Sequence, residues 1–311
     1  MQYYFVTHSQ NFHLDDVFAF ALLDIFIFKG AAKIIRTRDE KTIKEMKEKE
    51  NAFVVDVGLE YNPDKLLFDH HQNDPKLSGL SSCGLIWKYL KDKKYLNQKM
   101  NNETAELIEK RLIDIVDAID NGININGADK LEFISMYNRK STGNESQDKK
   151  QLNQFIRAAS AAKEYYINLF SNIRGEIKEE KLALKYYEKS KDIDGIIVTE
   201  TRIADVSRFF NKYKDKQLIV MPHSRGSWII RSLNVGNTSN AYSRSNTAKS
   251  LRCPAPSEWV GLSGAELTKA TGFNGIEMVF CHKNKHLTIM KGSLDEAVLV
   301  AKYIINNKNR E

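Results

Sequence analysis

The sequence is short of the residues that hold secreted or fibrous folds together. Its three cysteines, Cys83, Cys253 and Cys281, stand far apart in 311 residues. With no CxxC pair, a disulfide framework and a cysteine-based zinc module are excluded, and a reducing compartment is expected. Five prolines and 16 glycines exclude collagen-like and Pro/Gly-rich low-complexity chains. Long hydrophobic runs are also missing. The longest, around Val17–Phe28, is broken by Asp24 and is too short for a membrane span. The opening MQYYFVTHSQ has no basic region followed by a long apolar stretch, so it reads as a first strand and not a signal peptide. A cytoplasmic protein without membrane contact is expected.

What remains is globular. Hydrophobic residues at 42% and charged residues at 28% exclude a mostly disordered chain. The length suits two domains or one large one. Lys and Arg number 47 against 40 Asp and Glu, a net charge of +7. A mildly basic surface suits an anionic partner such as nucleic acid or phosphate.

Apolar patterning predicts strands at Gln2–Thr7, Lys33–Thr37, Ala52–Val57 and Lys65–Asp69. Between and after them it predicts helices at Asp15–Phe28, Glu40–Glu50, Leu80–Leu90 and Asn102–Asp120. The first helix is apolar nearly all round and should be buried. Strands alternating with helices argue for an α/β fold with a largely parallel sheet flanked by helices. Asn138–Lys150 carries no apolar residue and reads as a surface loop or a disordered insertion. Leu152–Lys191 is helical in pattern and could connect two lobes. Strands are expected again at Gly195–Thr199, Gln217–Met221, Ser227–Leu233 and Gly275–Cys281, with a last helix near Leu294–Ile305. The Ser/Asn/Thr-rich Asn234–Pro256 reads as a loop. The expected division is residues 1–190, with the helical connector, and a smaller α/β domain over residues 191–311.

Metal-ligand residue types gather at the predicted strand ends. His8 ends the first strand and is followed by His13, Asp15 and Asp16. Asp56 ends the third strand, and Asp69-His70-His71 ends the fourth. The long helix that follows carries Asp117 and Asp120. In an open α/β sheet the carboxyl ends of neighbouring strands converge on one crevice. A mixed imidazole and carboxylate set suits Mn²⁺ or Mg²⁺. Taken singly, Asp16 reads as a helix cap, and one of Asp117 and Asp120 as a structural carboxylate. Asp-His-His at a strand end is harder to explain structurally, because adjacent side chains point opposite ways.

Asp69-His70-His71 resembles the signature of the DHH phosphoesterase superfamily. THSQNFHLDD (Thr7–Asp16), RTRD (Arg36–Asp39), DVGLEYNPDKLLFDHHQ (Asp56–Gln72), LSSCGLIWKYL (Leu80–Leu90), DAIDNGI (Asp117–Ile123) and SEWVGLSGAEL (Ser257–Leu267) resemble, in order, the motifs of one branch. That branch is the melanocyte proliferating gene protein family, regarded as metal-dependent 3′–5′ RNA exonucleases. The resemblance implies a DHH-type N-terminal domain and a C-terminal substrate-binding domain. It implies two divalent cations, most simply Mn²⁺, held by His8, His13, Asp15, Asp56, His70 and Asp120. Asp56 would bridge them, Asp69 would orient His70 from behind, and His71 would face the substrate phosphate. Asp16 stands where the family usually has Glu. The family tail usually carries a His followed by a glycine-rich run, whereas Phe280–Gly292 is basic here (FCHKNKHLTIMKG), which bears on the substrate and not on the metal chemistry.

His71 and Arg38 are candidates to stabilise charge on a phosphoryl group, with Asp69 supporting the catalytic set. In the second half His223, Arg225 and Arg231 lie near Trp228, a basic and aromatic combination that could bind a nucleic-acid backbone and stack a base. The expected function is therefore a metal-dependent phosphodiester hydrolase acting on RNA or short oligonucleotides. A phosphatase or pyrophosphatase acting on a small phosphate compound, and a non-catalytic metal-binding module, are the rival readings.

Overall fold

A computed structural model describes residues 2–72, 75–139, 145–203, 213–235 and 251–308. The chain divides into two units, Met1–Gly175 and Glu176–Glu311. In the first, five strands form one sheet: β1 (Tyr3–Thr7), β2 (Ala32–Arg36), β3 (Ala52–Val55), β4 (Tyr61–Asn62) and β5 (Leu67–Phe68), in the order β2-β1-β3-β5-β4. The pairs β1–β2, β1–β3 and β3–β5 are parallel, and only the edge strand β4 runs antiparallel. The short β4 lies in the stretch between the third and fourth expected strands.

Side chains alternate across each strand, so successive residues serve opposite faces. Val6, Val54 and Leu67 pack on one face with Ile43 of helix α2 (Glu40–Lys47). Phe5, Phe53 and Phe68 belong to a ring cluster that also holds Phe20 of α1 (Leu14–Leu23), Tyr89 of α3 (Ser82–Asp92) and Phe155 of α6 (Glu145–Glu188). Helices thus cover both faces of a largely parallel sheet, the α/β arrangement expected from the alternation. The predicted Asp15–Phe28 helix is α1 continued by a π-helical turn, Asp24–Phe28. That turn closes on left-handed Lys29, and Asp24 accepts from the Gly30 amide at 2.7 Å. The predicted Asn102–Asp120 helix is α4 (Asn102–Ile108), a π-helical turn and α5 (Asp114–Asp120).

The expected loop Asn138–Lys150 is a loop only in part. Residues 140–144 lie outside the described residues, and α6 is already helical from Glu145. Its apolar stripe, Phe155, Ala158, Ala159 and Ala162, is buried and anchors the helix. The Glu, Lys and Gln before that stripe are good helix formers and extend the helix backwards.

The second unit contains a six-stranded sheet, β6 (Lys191–Ile193), β7 (Ile196–Val198), β8 (Leu218–Pro222), β9 (Ser227–Ser232), β10 (Glu277–Cys281) and β11 (Leu287–Lys291), in the order β10-β11-β9-β8-β7-β6. Only β7 and β8 pair in parallel. One face packs Ile196, Val220 and Ile230 against Trp259, from the turn Ser257–Trp259, and against Ala301 of helix α8 (Leu294–Asn307). The other packs Ile197, Ile219 and Ile229 on Ala183, Tyr186 and Tyr187 from the end of α6. Those last turns of α6 join the second unit, so the boundary falls inside the helix and not after residue 190. The helix α7 (Gly264–Thr271) and strands β6 and β11 were not foreseen. Each is short, and β11 is recognisable only as the partner of β10 and β9. Of the expected loop Asn234–Pro256, residues 236–250 lie outside the described residues. Among the described residues no helix is long and apolar enough to cross a membrane.

One close approach ties the helices under the site together. Gly84, in the first turn of α3, has no room for a methyl group: a Cβ there would lie 2.4 Å from Asp117 Oδ2 on α5. Asp117 is buried and accepts from the Ser81 amide at 3.0 Å and the Ser81 hydroxyl at 2.5 Å. Gly84→Ala is expected to push Asp117 off Ser81 and destabilise the protein by about 1–3 kcal/mol, the usual cost of overpacking. Thermal unfolding measures this, and an unchanged midpoint would show that α3 and α5 can slide apart freely.

Candidate metal centre

Four chain segments deliver polar side chains to the carboxyl edge of the parallel sheet. His8 is the first residue after β1, Asp56 follows β3, and Asp69-His70-His71 follow β5. His13 is the N-cap of α1, Asp15 and Asp16 lie in its first turn, and Asp120 ends α5. Asp56 sits at the middle. Its backbone is left-handed (φ 54°), uncommon for a residue with a Cβ, and its amide is anchored on Phe68 O at 3.1 Å. His8 Nε2 lies 3.1 Å from Asp56 Oδ2, and His70 Nε2 lies 3.3 Å from Asp56 Oδ1. His70 Nε2 is also 3.5 Å from Asp120 Oδ2 and 3.9 Å from Asp15 Oδ2.

Three groups of ligand-type atoms, each within 4.8 Å of one another, emerge: His8, His13 and Asp56; Asp56, His70 and His71; His13, Asp15 and Asp120. Asp56 and His13 each belong to two of them, and Asp56 is the carboxylate so shared. His8 Nε2, Asp15 Oδ1, Asp16 Oδ2 and Asp56 Oδ1 are buried and make no aligned hydrogen bond. Buried polar atoms in proteins are ordinarily paired. Four buried or half-buried carboxylates facing three imidazoles, with orphaned oxygens and nitrogens between them, are the donor set that divalent cations complete. These residues fit such cations.

The electrostatics give the same picture. Burial drives the Asp15 carboxyl well above its usual range, with Asp56, Asp120 and Asp16 adding repulsion. Burial pushes Asp16 up to about 7 against the pull of His8. Asp120 is raised by burial, opposed by His70. Asp56 goes the other way, because contacts with His70 and His8 outweigh its burial. His8 and His70 are raised: burial lowers them, but Asp56 wins, helped by Asp16 at His8 and by Asp120 at His70. His13 is lowered by burial and by His8.

The sign of the pH linkage follows. A group whose pKa is raised by folding adds stability at low pH that is lost as pH rises through the folded value. Asp15, Asp16, Asp120, His8 and His70 all shift this way, Asp16 to about 7, so these groups of the cation-free cluster hold their protons more tightly than in the unfolded chain. A cation must displace those protons. The rise in unfolding temperature produced by saturating Mn²⁺ is therefore expected to grow from pH 5.5 to 7.5. Subtracting the cation-free curve at each pH cancels titrations elsewhere in the chain, and a shift independent of pH would contradict the linkage.

All nine residues expected in the first half do meet. His8, His13, Asp15, Asp56, His70 and Asp120 form the cluster, and Asp69, His71 and Arg38 border it. One expectation needs correcting. Asp69 supports His71 and not His70: its Oδ1 accepts from the His71 amide at 2.9 Å and lies 2.7 Å from His71 Nδ1. Its Oδ2 accepts from the Leu59 amide at 2.7 Å. His71 is 55% exposed while His70 is 12% exposed, so the neighbouring imidazoles are turned to different environments. Arg38 Nη2 reaches within 3.3 Å of His8 Nδ1, which also lies 3.0 Å from Ser9 O.

Taken singly, Asp16 reads as a cap. Its Oδ1 does accept from the His13 amide at 2.9 Å, but its buried Oδ2 stands 3.5 Å from His8 Nε2. Cap spacing reveals one oxygen and is silent on the other. Asp117 proves to be the structural carboxylate of the Asp117/Asp120 pair. Ser82, which the motif left without a role, donates its amide to Asp15 Oδ2 at 3.3 Å.

The residues expected in the second half lie on one hairpin. His223 and Arg225 are at the β8–β9 turn, and Trp228 and Arg231 are on β9. Trp228 packs against the Ile230 side and donates from Nε1 to Gly292 O at 3.0 Å. Arg231 is three residues on and so projects from the opposite face. The electropositive Phe280–Gly292 segment forms the end of β10, the turn that follows and β11.

A largely parallel α/β sheet with a His/carboxylate cluster of metal-ligand type at its carboxyl edge describes the class. Residues 4–304 match the MYG1_exonuc family, described as an uncharacterised protein family (UPF0160), and the chain belongs to it. A MYG1 protein of Chlamydia pneumoniae is 29% identical over 91% of this chain and 90% of its own length. The MYG1 exonuclease of Mus musculus is 32% identical over 38% of this chain and 34% of its own length. Among solved structures, RecJ of Thermus thermophilus in complex with Mn²⁺ overlays 99% of this chain and 52% of that one, with TM-score 0.28 and 11% identity. An overlay that loose carries no functional argument.

Proposed function

We propose that this protein is a divalent-metal-dependent phosphodiester hydrolase that removes nucleotides from the 3′ end of RNA or short oligonucleotides. The observation that carries this reading is the convergence of His8, His13, Asp15, Asp56, His70 and Asp120, with Asp56 common to two ligand groups. Membership of a family named for exonucleases agrees with it. Two divalent cations, Mn²⁺ first and Mg²⁺ second, suit the mixed donors. Bound there, such cations would acidify a water and offset the charge on a phosphoryl group.

The chain's own residues do the rest. Asp56, with one oxygen toward His8 and the other toward His70, is the natural shared ligand. The carboxylate of Asp69 holds the Nδ1 proton of His71, which leaves Nε2 to donate to a phosphoryl oxygen when the ring is protonated. Arg38, beside His8, can take a second phosphoryl oxygen. Hydrolysis joins the water oxygen to phosphorus and breaks the bond to the preceding 3′ oxygen, which leaves with a proton. The released nucleotide keeps its 5′ phosphate. The second unit, with His223 and Arg225 on its turn and Trp228 and Arg231 on opposite faces of β9, is the candidate for holding the rest of the strand.

The test is a substrate panel with Mn²⁺ comparing pyrophosphate, dinucleotides, short RNA and short DNA. Release of nucleoside 5′-monophosphates from the 3′ end of RNA supports the reading. Turnover of pyrophosphate alone would replace it with the pyrophosphatase reading. Metal binding without turnover of any substrate would leave a metal-binding module.

A further inference from the structure

Beside the cluster lies a cavity that no chemistry assigned so far uses. It measures about 420 Å³ and belongs entirely to the first unit. Two of its lining residues, His13 and Asp120, are members of the candidate metal centre. The rest of its wall is of another character. Leu14 at the start of α1, Ile119 on α5 and Ile134 give it an apolar lining. Asn11, Ser135 and Asn138 add a few polar groups.

The pocket is built and not incidental. Asn138 clamps the chain that forms one wall: its amide donates to Phe12 O at 2.8 Å, and its Oδ1 accepts from Phe12 N at 3.0 Å and from Gln151 at 2.8 Å. The two bonds to Phe12 span 126 residues of sequence and fix the backbone between the two histidines, His8 and His13. Ser135 Oγ donates to Glu132 O at 2.7 Å and keeps its lone pairs for an acceptor role. An apolar cavity of a few hundred Å³ with a small number of fixed polar groups is the usual form of a small-molecule site.

We infer that this cavity receives the base and sugar of the nucleotide being released, a specificity pocket joined to the reacting phosphate at His13 and Asp120. The inference rests on the proposed phosphodiester hydrolysis and adds to it which part of the substrate the first unit reads. A phosphate at the His/carboxylate cluster carries its nucleoside outward. The adjoining cavity matches that group in being apolar where a base has its faces and sparingly polar where it has its edges. Inorganic phosphate or pyrophosphate has nothing to put there.

The experiment compares binding of adenosine 5′-monophosphate and ribose 5-phosphate to the Mn²⁺-loaded protein by calorimetry. The two share sugar and phosphate and differ by the base. Burying one base against apolar walls should favour adenosine 5′-monophosphate by about tenfold to a hundredfold. Ser135→Trp places a large ring in the pocket from an exposed position and should bring that ratio toward one. A ratio near one in the unaltered protein counts against the pocket whether or not that variant folds. Equal affinity for the two compounds in the unaltered protein would overturn the pocket while leaving the hydrolase reading standing. A high ratio that survives intact in a folded Ser135→Trp would place the base elsewhere and also overturn it. Bound Mn²⁺ with no affinity for either compound would remove the phosphodiester reading itself.

Discussion

Asp56→Asn should strip the protein of most of its bound metal, whereas Asp120→Asn should leave at least one ion in place. Asn is the right replacement at Asp56. The backbone there is left-handed, and Asn tolerates that conformation better than almost any residue except glycine. Asp56→Ala would add backbone strain to the loss of ligand and confuse the two. The carboxylate uses both oxygens, one 3.1 Å from His8 Nε2 and the other 3.3 Å from His70 Nε2, so an amide removes the charge from both ligand groups at once. Asp120 meets His70 from one side only and belongs to a single ligand group. Elemental analysis after exhaustive dialysis should find about two ions in the parent protein, the number expected if this is a two-metal site. It should find well under one in Asp56→Asn and one or more in Asp120→Asn. An unchanged metal content in Asp56→Asn would sink the bridging role.

The second large effect separates two neighbouring histidines. His71→Ala should keep its metal and lose turnover by roughly 10²–10³, the cost of removing one hydrogen-bond donor aimed at transition-state charge. His70→Ala should lose metal as well. The basis is the division seen at the end of β5. His70 points Nε2 at three carboxylates, while His71 has its Nδ1 tied to Asp69 at 2.7 Å and a ring more than half exposed. Asp69→Asn offers a control. It should mimic His71→Ala in rate at undiminished metal content, because an amide cannot keep both the Leu59 amide and the His71 ring in place as the two carboxylate oxygens do. Equal metal loss in His70→Ala and His71→Ala would make His71 a ligand. Full activity in His71→Ala would move the phosphate contact elsewhere, with the basic second unit the first place to look.

Much of the first unit was legible because its signals are local. A strand announces itself by alternation and a buried helix by its apolar circumference. A parallel sheet then aligns the carboxyl ends of all its strands without further instruction. His8, Asp56 and Asp69-His70-His71 each directly follow a strand, so their meeting could be anticipated from order alone. The family resemblance added roles, and one of them, Asp69 behind His70, did not survive the geometry.

What tertiary structure alone decided concerns partners remote in sequence. By spacing alone Asp117 and Asp120 are alike; Ser81, 36 residues away, makes the first structural, while His70 draws the second into the cluster. Asp16 caps α1 by sequence but reaches His8 only because β1 and α1 are packed together. In the second sheet β6–β7, β8–β9 and β10–β11 are local hairpins, but the sheet order was beyond reach, because the β9–β11 pairing joins residues such as Arg231 and Leu287, 56 positions apart. Local composition sets which element forms, because backbone propensity and burial act within a few residues. Which side chains face one another depends on pairings whose energy comes from distant segments, and no short window of sequence contains both partners.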